Sequence, residues 1–266
     1  MKIKLVVRGG GTRYPVYVGF QRACEARGIK IEEAVGTSAG AIYLGGLSAG
    51  RNSFEMEQLF KSLLPGDFID PRWFPFWPFA SGKDGLIKGD KFLEACRKYF
   101  PMSYESTRMP VHIVTHNWTR GTNRIFSDGD LPLHVRASMS LPIFDMVEIK
   151  NHLYEDGGVS GNFMMDFDGW TLKSKAPTWG IALKSERDFS FRAPPKTKIA
   201  RISATINDMI DANDREHIED AEKHSRIIYL RTKHPGMNLF MSPTDVEEMI
   251  KEGQNSAERA FSKMGL

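Results

Sequence analysis

Short apolar runs alternate along this chain with longer segments in which apolar residues recur every three or four positions. The short runs are typical of buried strands, and the periodic segments are typical of helices with one apolar face. Strands that alternate with helices indicate a largely parallel sheet covered by helices. We therefore predict an α/β fold, a three-layer sandwich with a mainly parallel central sheet. The predicted strands are 3–7, 111–115, 124–126, 146–149, 153–154, 178–183 and 227–230, and the predicted helices are 15–27, 53–64, 89–100, 132–139, 199–213, 214–224 and 243–261.

A G-x-S-x-G motif occupies residues 36–40, between a short apolar run and a helix-compatible segment that begins at Ala41. In that context the chain turns sharply from strand to helix, and Ser38 has a strained backbone with its hydroxyl facing solvent. Gly36 and Gly40 are needed because side chains there would collide with the crossing strand and helix. The helix N-terminus behind Ser38 favours a developing oxyanion. The alternative is a glycine-rich turn that merely exposes a serine.

Three consecutive glycines, Gly9, Gly10 and Gly11, follow the first predicted strand and precede a predicted helix. A loop of bare amides can cradle a phosphate or can form an oxyanion hole for a carbonyl oxygen. The dinucleotide-binding fingerprint would need a glycine where Tyr14 stands, so that pattern is broken. Beside a serine elbow, the oxyanion hole is the more economical interpretation. A purely structural tight turn stays open as the alternative.

Asp156 stands at the end of a predicted hairpin and is followed by Gly157 and Gly158. A carboxylate on such a tight turn is uncrowded and can accept a proton from a nearby hydroxyl. Asp-Gly pairs are also common in turns that have no chemical role. The pattern therefore makes Asp156 a candidate base, with an ordinary turn as the alternative.

An aromatic segment with three prolines follows the helix predicted at 53–64. Prolines exclude regular structure here, and aromatic rings on an irregular loop suit a hydrophobic ligand channel or a membrane interface. Rings that plug the core are an equally good interpretation. We predict that residues 68–79 govern access to lipid, through the side chains of Trp73, Phe74, Phe76, Trp77 and Phe79.

Composition places the chain among ordinary globular proteins of 266 residues, which we interpret as one domain with a motif core at 3–185 and a helical C-terminal part at 195–266. The net charge is +3, and the basic residues are scattered along the chain, which argues against nucleic acid as a partner. Cys24 and Cys96 are expected to be buried free thiols, as in a reducing compartment. Without a signal peptide or a membrane span in the sequence, we expect a cytoplasmic protein with peripheral membrane contact. The sequence predicts no oligomeric state.

Four short segments, taken in this order, resemble the patatin-like phospholipases, a family of lipid acyl hydrolases. They are Gly9-Gly10-Gly11-Thr12-Arg13, the elbow at 36–41, Ala-Ser-Met-Ser-Leu-Pro-Ile-Phe at 137–144, and Asp156-Gly157-Gly158. Weaker similarity continues to the end of the chain, through residues 240–242 and Gly253 of the last predicted helix.

The resemblance implies that Ser38 is the nucleophile and Asp156 the base of a Ser–Asp dyad. It also implies that amides around Gly10 and Gly11 form the oxyanion hole and that Arg13 orders that loop. The substrate would be a lipid or another acyl ester, and no metal or cofactor is required. Tyr14 and Ile143 stand where the family usually has glycine. Tyr14 is therefore expected to narrow or reshape the oxyanion hole.

Two other functions remain open at this stage. A Ser-His-Asp esterase would need a histidine after Asp156, and His217, His224 and His234 meet that requirement. A catalytically weak module that binds a lipid or a partner is the other alternative, and the bulky Tyr14 favours it. Asp128 and Asp130 are interpreted as turn residues because they do not complete a calcium loop.

Overall fold

A computed structural model describes residues 1–71, 85–161, 163, 172–185, 218–219, 221–223 and 225–266. Within these residues the chain forms an eight-stranded sheet with helices packed against it. The strands are β1 (Lys2–Val7), β2 (Lys30–Thr37), β3 (Val111–Asn117), β4 (Thr122–Phe126), β5 (Val147–Ile149), β6 (His152–Asp156), β7 (Thr178–Ser185) and β8 (Arg226–Thr232), and the helices are α1 (Val16–Ala26), α2 (Ala39–Leu47), α3 (Ser53–Lys61), α4 (Asp90–Tyr99), α5 (Leu131–Ser138) and α6 (Pro243–Lys263).

The order of the strands across the sheet is β5-β6-β3-β2-β1-β7-β8, and β4 also pairs with β3. Strands β3, β2, β1, β7 and β8 are parallel to their neighbours within this series. The pairs β3–β4, β3–β6 and β5–β6 are antiparallel. The predicted α/β fold with a mainly parallel sheet is confirmed. In such a sheet the carboxyl ends of the parallel strands meet at one edge, where ligand sites usually form.

The side chains of β1 alternate between two buried clusters, as the period of a strand requires. Leu5 and Val7 belong to the larger cluster, which also contains residues of α1, α2 and α6. Val6 belongs to a second cluster with Phe163 and Leu172, which follow β6 in the chain. The sheet therefore has a helical layer on one face and residues of the later chain on the other, which gives the three layers predicted.

Helix α2 is the most deeply placed helix of the larger layer, because every residue from Ala39 to Leu47 is buried. A helix that is apolar all round is stable only inside a core. Its N-terminus directly follows Ser38. The helix thus fixes the position of the serine relative to the sheet.

Most predicted elements are confirmed, with small differences at their ends. The helix predicted at 53–64 ends at Lys61, and a short 3-10 turn begins at Pro65. The second hairpin strand continues to Asp156. The helix predicted at 199–213 and most of the helix at 214–224 lie outside the described residues.

The cysteines Cys24 and Cys96 are buried free thiols, as predicted. In the part of the chain that the structure describes, no helix is long and apolar enough to cross a membrane.

Candidate active site

Ser38 forms a sharp elbow between β2 and α2, with φ 52° and ψ −117°. Residues other than glycine rarely adopt a positive φ, and such backbone strain is common at functional turns. The neighbouring glycines allow the elbow to close. A Cβ on Gly36 would lie 2.8 Å from the carbonyl of Gly40, and a Cβ on Gly40 would lie 2.4 Å from the carbonyl oxygen of Val7. The strand-turn-helix prediction is confirmed.

The environment of Ser38 differs from the prediction of a solvent-facing hydroxyl. Only 7% of the residue is exposed. Residues from several segments that are distant in sequence surround Ser38 and enclose a small apolar cavity. The G-x-S-x-G motif predicts the turn, but it carries no information on which other residues cover Ser38.

The sheet register brings Asp156 next to the end of β2. Strand β4 occupies one edge of β3. The other edge of β3 is shared by two strands in succession: β2 pairs as far as Thr37 with Val114, and β6 takes over where Asp156 pairs with Thr115. The carboxyl ends of β2 and β6 therefore meet beside two adjacent residues of β3. Ser38, which follows Thr37, and Asp156 are brought together by this arrangement.

A second contact shows how closely these two strand ends pack. A Cβ on Gly157 would lie 3.0 Å from Cγ2 of Thr37 and 2.8 Å from the carbonyl oxygen of Val114. The side chain of Asp156 is fixed as well, since its Oδ1 accepts a hydrogen bond of 2.8 Å from the amide of Gly158. Gly157 and Gly158 thus allow the close approach and hold the carboxylate.

The turn that ends α5 holds both candidate residues. The amide of Ser38 donates to Oγ of Ser138 at 2.9 Å, and that hydroxyl donates to the carbonyl of Val114 at 2.6 Å. Two residues later, the carbonyl of Ser140 accepts a hydrogen bond from the amide of Asp156 at 3.0 Å. Ser138 and Ser140, which the sequence analysis identified only as part of a family motif, therefore connect the ends of β2 and β6. We call these two residues the clamp.

The glycine loop closes against a segment from the far end of the chain. Gly11 has φ +63°, and a Cβ there would lie 1.9 Å from the carbonyl oxygen of Gly236. The amide of Thr12 donates to the same oxygen at 2.9 Å. Nε of Arg13 donates to the carbonyl of Gly10 at 3.0 Å, which is a contact that orders the loop. Among the described residues, the amides of Gly10 and Gly11 donate to no acceptor, so they remain available to a substrate oxygen.

An apolar cavity of about 60 Å³ lies between Ser38 and the glycine loop. Its composition suits an acyl chain because it offers almost no polar surface. Besides Ser38, Gly11 and Thr12, the cavity is lined mainly by apolar side chains, namely Tyr14, Ile42, Pro65, Phe68, Ile69, Phe92, Met139, Leu141, Ile143, Phe144, Met237 and Leu239.

Tyr14 and Ile143, the two departures from the family pattern, are both part of the cavity wall. The Tyr14 ring packs edge-on against Phe60 at 4.7 Å, and its hydroxyl donates to the carbonyl of Leu63. Burial raises the pKa of this phenol far above its ordinary value, so it stays neutral. Tyr14 therefore forms part of the cavity wall, and its narrowing or reshaping of the oxyanion hole stays a prediction.

The aromatic residues of the predicted access segment lie outside the described residues: Trp73, Phe74, Phe76, Trp77 and Phe79. The start of that segment is described. Phe68 packs edge-on against Phe92 at 5.3 Å, and Ile69 follows it along the cavity wall. The first two residues of the segment thus line the cavity beside Ser38, and its role in lipid access stays a prediction.

Of the three candidate histidines of a triad, His234 is the one that the structure describes, and it packs against α6. The ring nitrogens of His234 face α6, with Asp245 at 3.8 Å and Glu248 at 3.4 Å. His217 and His224 lie outside the described residues.

Arg136 is a site residue that the sequence analysis did not identify. It is buried in α5 and donates to the carbonyl of Gly89 at 2.9 Å and to that of Lys88 at 2.6 Å. It also donates to Oγ of Ser140, the residue whose carbonyl holds Asp156. Burial lowers the pKa of the guanidinium. An arginine between apolar residues of a predicted helix is the signal that could have revealed it.

Comparison with known proteins bears on the family to which the chain belongs. A family model described as patatin-like phospholipase matches residues 5–167, more than half of the chain. Patatin-like phospholipase domain-containing protein 6 of Mus musculus is 30% identical over 174 residues, which cover 62% of this chain and 12% of that protein. The uncharacterized protein YqhO of Bacillus subtilis is 25% identical over 264 residues, covering 86% of this chain and 87% of its own length.

Two solved structures share the fold. VipD from Legionella pneumophila aligns with a TM-score of 0.55 and 14% identity, covering 98% of this chain and 66% of that one. The type III effector protein ExoU aligns with a TM-score of 0.50 and 12% identity, covering 98% of this chain and 52% of that one. The chain thus spans only part of each of these proteins and about an eighth of the mouse relative. From the match of the family model over most of the fold, we conclude that the chain belongs to the patatin-like phospholipase family.

Proposed function

We propose that this protein hydrolyses carboxylic esters of lipids by acyl transfer through Ser38, with Asp156 as the base. The observation that carries the proposal is the register along β3, which brings the ends of β2 and β6 to Val114 and Thr115. Membership of a phospholipase family supports a lipid substrate.

The proposed chemistry uses groups of this chain and water. Oγ of Ser38 attacks the ester carbonyl carbon while its proton passes to the carboxylate of Asp156. The tetrahedral oxyanion is held by the amides of Gly10 and Gly11, and one such donor is typically worth about 3 kcal/mol. The alcohol leaves with the proton from Asp156. Water, deprotonated by the same carboxylate, then releases the acid from the acyl-serine.

The cavity beside Ser38 is the proposed acyl site. Each methylene that leaves water for an apolar wall contributes about 0.8 kcal/mol. The cavity volume of about 60 Å³ is far below the roughly 300 Å³ of an ordinary small-molecule site. It therefore accommodates only the first part of an acyl chain. Longer acyl chains therefore require the wall formed by Phe68 and Ile69 to move outward.

Transient contact with a membrane surface is part of the proposal. Residues 68–79 would collect the acyl chain from a lipid aggregate and deliver it to the cavity. Tryptophan emission should then shift to shorter wavelength when Ser38→Ala is mixed with vesicles. Trp73→Ala combined with Trp77→Ala should remove most of the shift and lower activity on vesicles far more than on a soluble ester.

The matched control for this experiment is Trp118→Ala. Trp118 is 59% exposed in the turn after β3 and is not part of the predicted segment, so its replacement should change vesicle affinity little. Equal losses on vesicles and on the soluble ester, with a lowered melting temperature, would show instead that Trp73 and Trp77 plug the core.

A substrate panel tests the function itself. Phospholipids, galactolipids, triglycerides and short p-nitrophenyl esters are incubated with the wild type and with Ser38→Ala, and fatty acid release is measured. We expect fatty acid release from the phospholipids, galactolipids and triglycerides by the wild type only. A fluorophosphonate should label Ser38 as well. No release and no label on Ser38 would favour the binding-module alternative, and lipid hydrolysis that survives in Ser38→Ala would refute the assignment of the nucleophile.

A further inference from the structure

A serine, a histidine and a glutamate are linked by hydrogen bonds near the first residues of β3. Oγ of Ser127 is 2.7 Å from Nδ1 of His112, and Nε2 of His112 is 3.0 Å from Oε1 of Glu33. His112 and Glu33 are buried, whereas Ser127 is exposed. None of the three belongs to the site around Ser38.

The sheet register explains why these residues meet. Ile113 pairs with Phe126 in the β3–β4 hairpin, so the next pair outward is His112 with Ser127. Paired residues of antiparallel strands share a face. His112 is also the partner of Val35 in β2, and Glu33 lies two residues before Val35 on the same face. Because side chains alternate along β3, this face is opposite to that of Thr115, the partner of Asp156.

The protonation states follow from the hydrogen bonds. Glu33 also accepts the amides of Lys173 at 3.0 Å and Ser174 at 2.7 Å. Burial raises the pKa of Glu33, but these amides and His112 outweigh it, so the pKa lies below its ordinary value and the carboxylate is ionised. An ionised carboxylate only accepts, so Nε2 of His112 carries the hydrogen. Nδ1 is then the acceptor that faces the hydroxyl of Ser127.

The histidine is therefore suited to act as a base. Burial lowers the pKa of His112, against the opposing effect of Glu33, so the ring is neutral at neutral pH. A serine, a neutral histidine and a carboxylate that fixes the tautomer are the three parts of an activated nucleophile.

A cavity of about 310 Å³ opens beside this chain of residues and is lined by Ser127 and His112. That volume falls at the lower end of small-molecule sites. Arg108 and Thr107 contribute to its wall. Arg108 is exposed and brings a positive charge to this wall, where it can stabilise negative charge on a bound molecule.

We propose that Ser127 is a second nucleophile, activated by His112 and oriented by Glu33, which is acylated by small ester substrates that fit this cavity. Oγ of Ser127 attacks the carbonyl carbon, and its proton passes to Nδ1 of His112. The bond to the alcohol breaks, and the alcohol leaves with that proton. Water then gives a proton to His112 as it attacks the acyl-serine. The bond between the acyl carbon and Oγ breaks, His112 returns the proton to Oγ of Ser127, and the acid is released.

Ser160 provides an internal control. Its hydroxyl lies 2.6 Å from Nδ1 of His116, but it donates to the amide oxygen of Asn123. Its proton is therefore already engaged, and Nδ1 of His116 must donate to it rather than accept from it. Ser160 is exposed like Ser127, so a difference in reactivity between the two would reflect activation rather than access.

The experiment uses the full chain with Ser38→Ala, so its outcome does not depend on the proposed role of Ser38. The variant is treated with a fluorophosphonate, and peptides are mapped by mass spectrometry. We expect an adduct on Ser127 and none on Ser160, with the labelling rate at Ser127 lowered about 100-fold by His112→Gln. Ser127 left unmodified while an added serine hydrolase is fully labelled, or equal labelling of Ser127 and Ser160, would overturn the proposal.

A second measurement does not require changing the buried histidine. Release of p-nitrophenolate from p-nitrophenyl acetate is compared between Ser38→Ala and the double variant that also carries Ser127→Ala. Because Ser127 is exposed, its replacement leaves the fold intact, which circular dichroism would verify. We expect release at least about tenfold slower in the double variant. Equal rates in the two variants would overturn the proposal.

Discussion

Replacing Ser138 by alanine tests how the elbow is held. The Ser138 hydroxyl is fully buried, accepts the amide of Ser38 and donates to the carbonyl of Val114. Ser138→Ala removes both hydrogen bonds and leaves the buried Ser38 amide without this acceptor. An unsatisfied buried group costs about 1–3 kcal/mol and a further hydrogen bond about 1 kcal/mol, so unfolding should become easier by about 2–4 kcal/mol.

The effect on activity follows from the strain at Ser38. Its positive φ persists only while the surrounding contacts hold it. Released from Ser138, the serine should drift from its position beside Asp156, and a displacement of about 1 Å can cost about 100-fold in rate. We expect kcat on a soluble p-nitrophenyl ester to fall about 10- to 100-fold, with KM little changed, because the cavity wall stays intact.

Ser48→Ala is the matched control. Ser48 is also a fully buried serine, but its hydroxyl donates only to the carbonyl of Gly45, at the other end of α2. Its removal should cost about 1 kcal/mol and leave kcat unchanged. Chemical denaturation and steady-state kinetics of both variants give the comparison. Equal stability losses with an unchanged kcat in Ser138→Ala would refute the role of the clamp.

Two further predictions concern other parts of the structure. Thr12→Val removes the hydroxyl that accepts the amide of Asn238 and so loosens the contact of the glycine loop with Gly236. We expect a lower kcat with KM unchanged, and an unaltered kcat would mean that the loop needs no such support. Burial lowers the pKa of His134 from its ordinary value of 6.5 to about 4. When the pH falls below 6.5, the unfolded chain therefore takes up a proton at this residue that the folded chain does not. Stability should therefore fall by about 3 kcal/mol as the pH drops from about 6.5 to about 4, and denaturation curves of His134→Gln should lack this part, with His152→Gln as the control.

Much of the fold was predictable because it depends on local patterns. Apolar runs marked β1 and β3, and the glycines around Ser38 marked the elbow, since backbone closeness demands them whatever the rest of the chain does. Asp156 was a candidate because a carboxylate before two glycines has an open turn around it.

The remaining features depend on contacts between residues far apart in sequence. Nothing local indicates that β6 takes over the edge of β3 where β2 stops, although this brings Asp156 to Ser38. The closure of Gly236 on the glycine loop is equally non-local. The burial of Ser38 has the same origin, because side chains from several distant segments cover it. Periodicity and turn motifs carry no information about such pairings.

The rate of acyl-ester hydrolysis by Asp156→Asn tests most directly whether Ser38 and Asp156 act together. The amide keeps the size of the carboxylate but cannot take the proton of Ser38. If the two residues form a unit, Asp156→Asn and Ser38→Ala each abolish the hydrolysis of lipid esters, and the double variant is scarcely slower than either. Full activity in a correctly folded Asp156→Asn would contradict the dyad and would favour a histidine as the base.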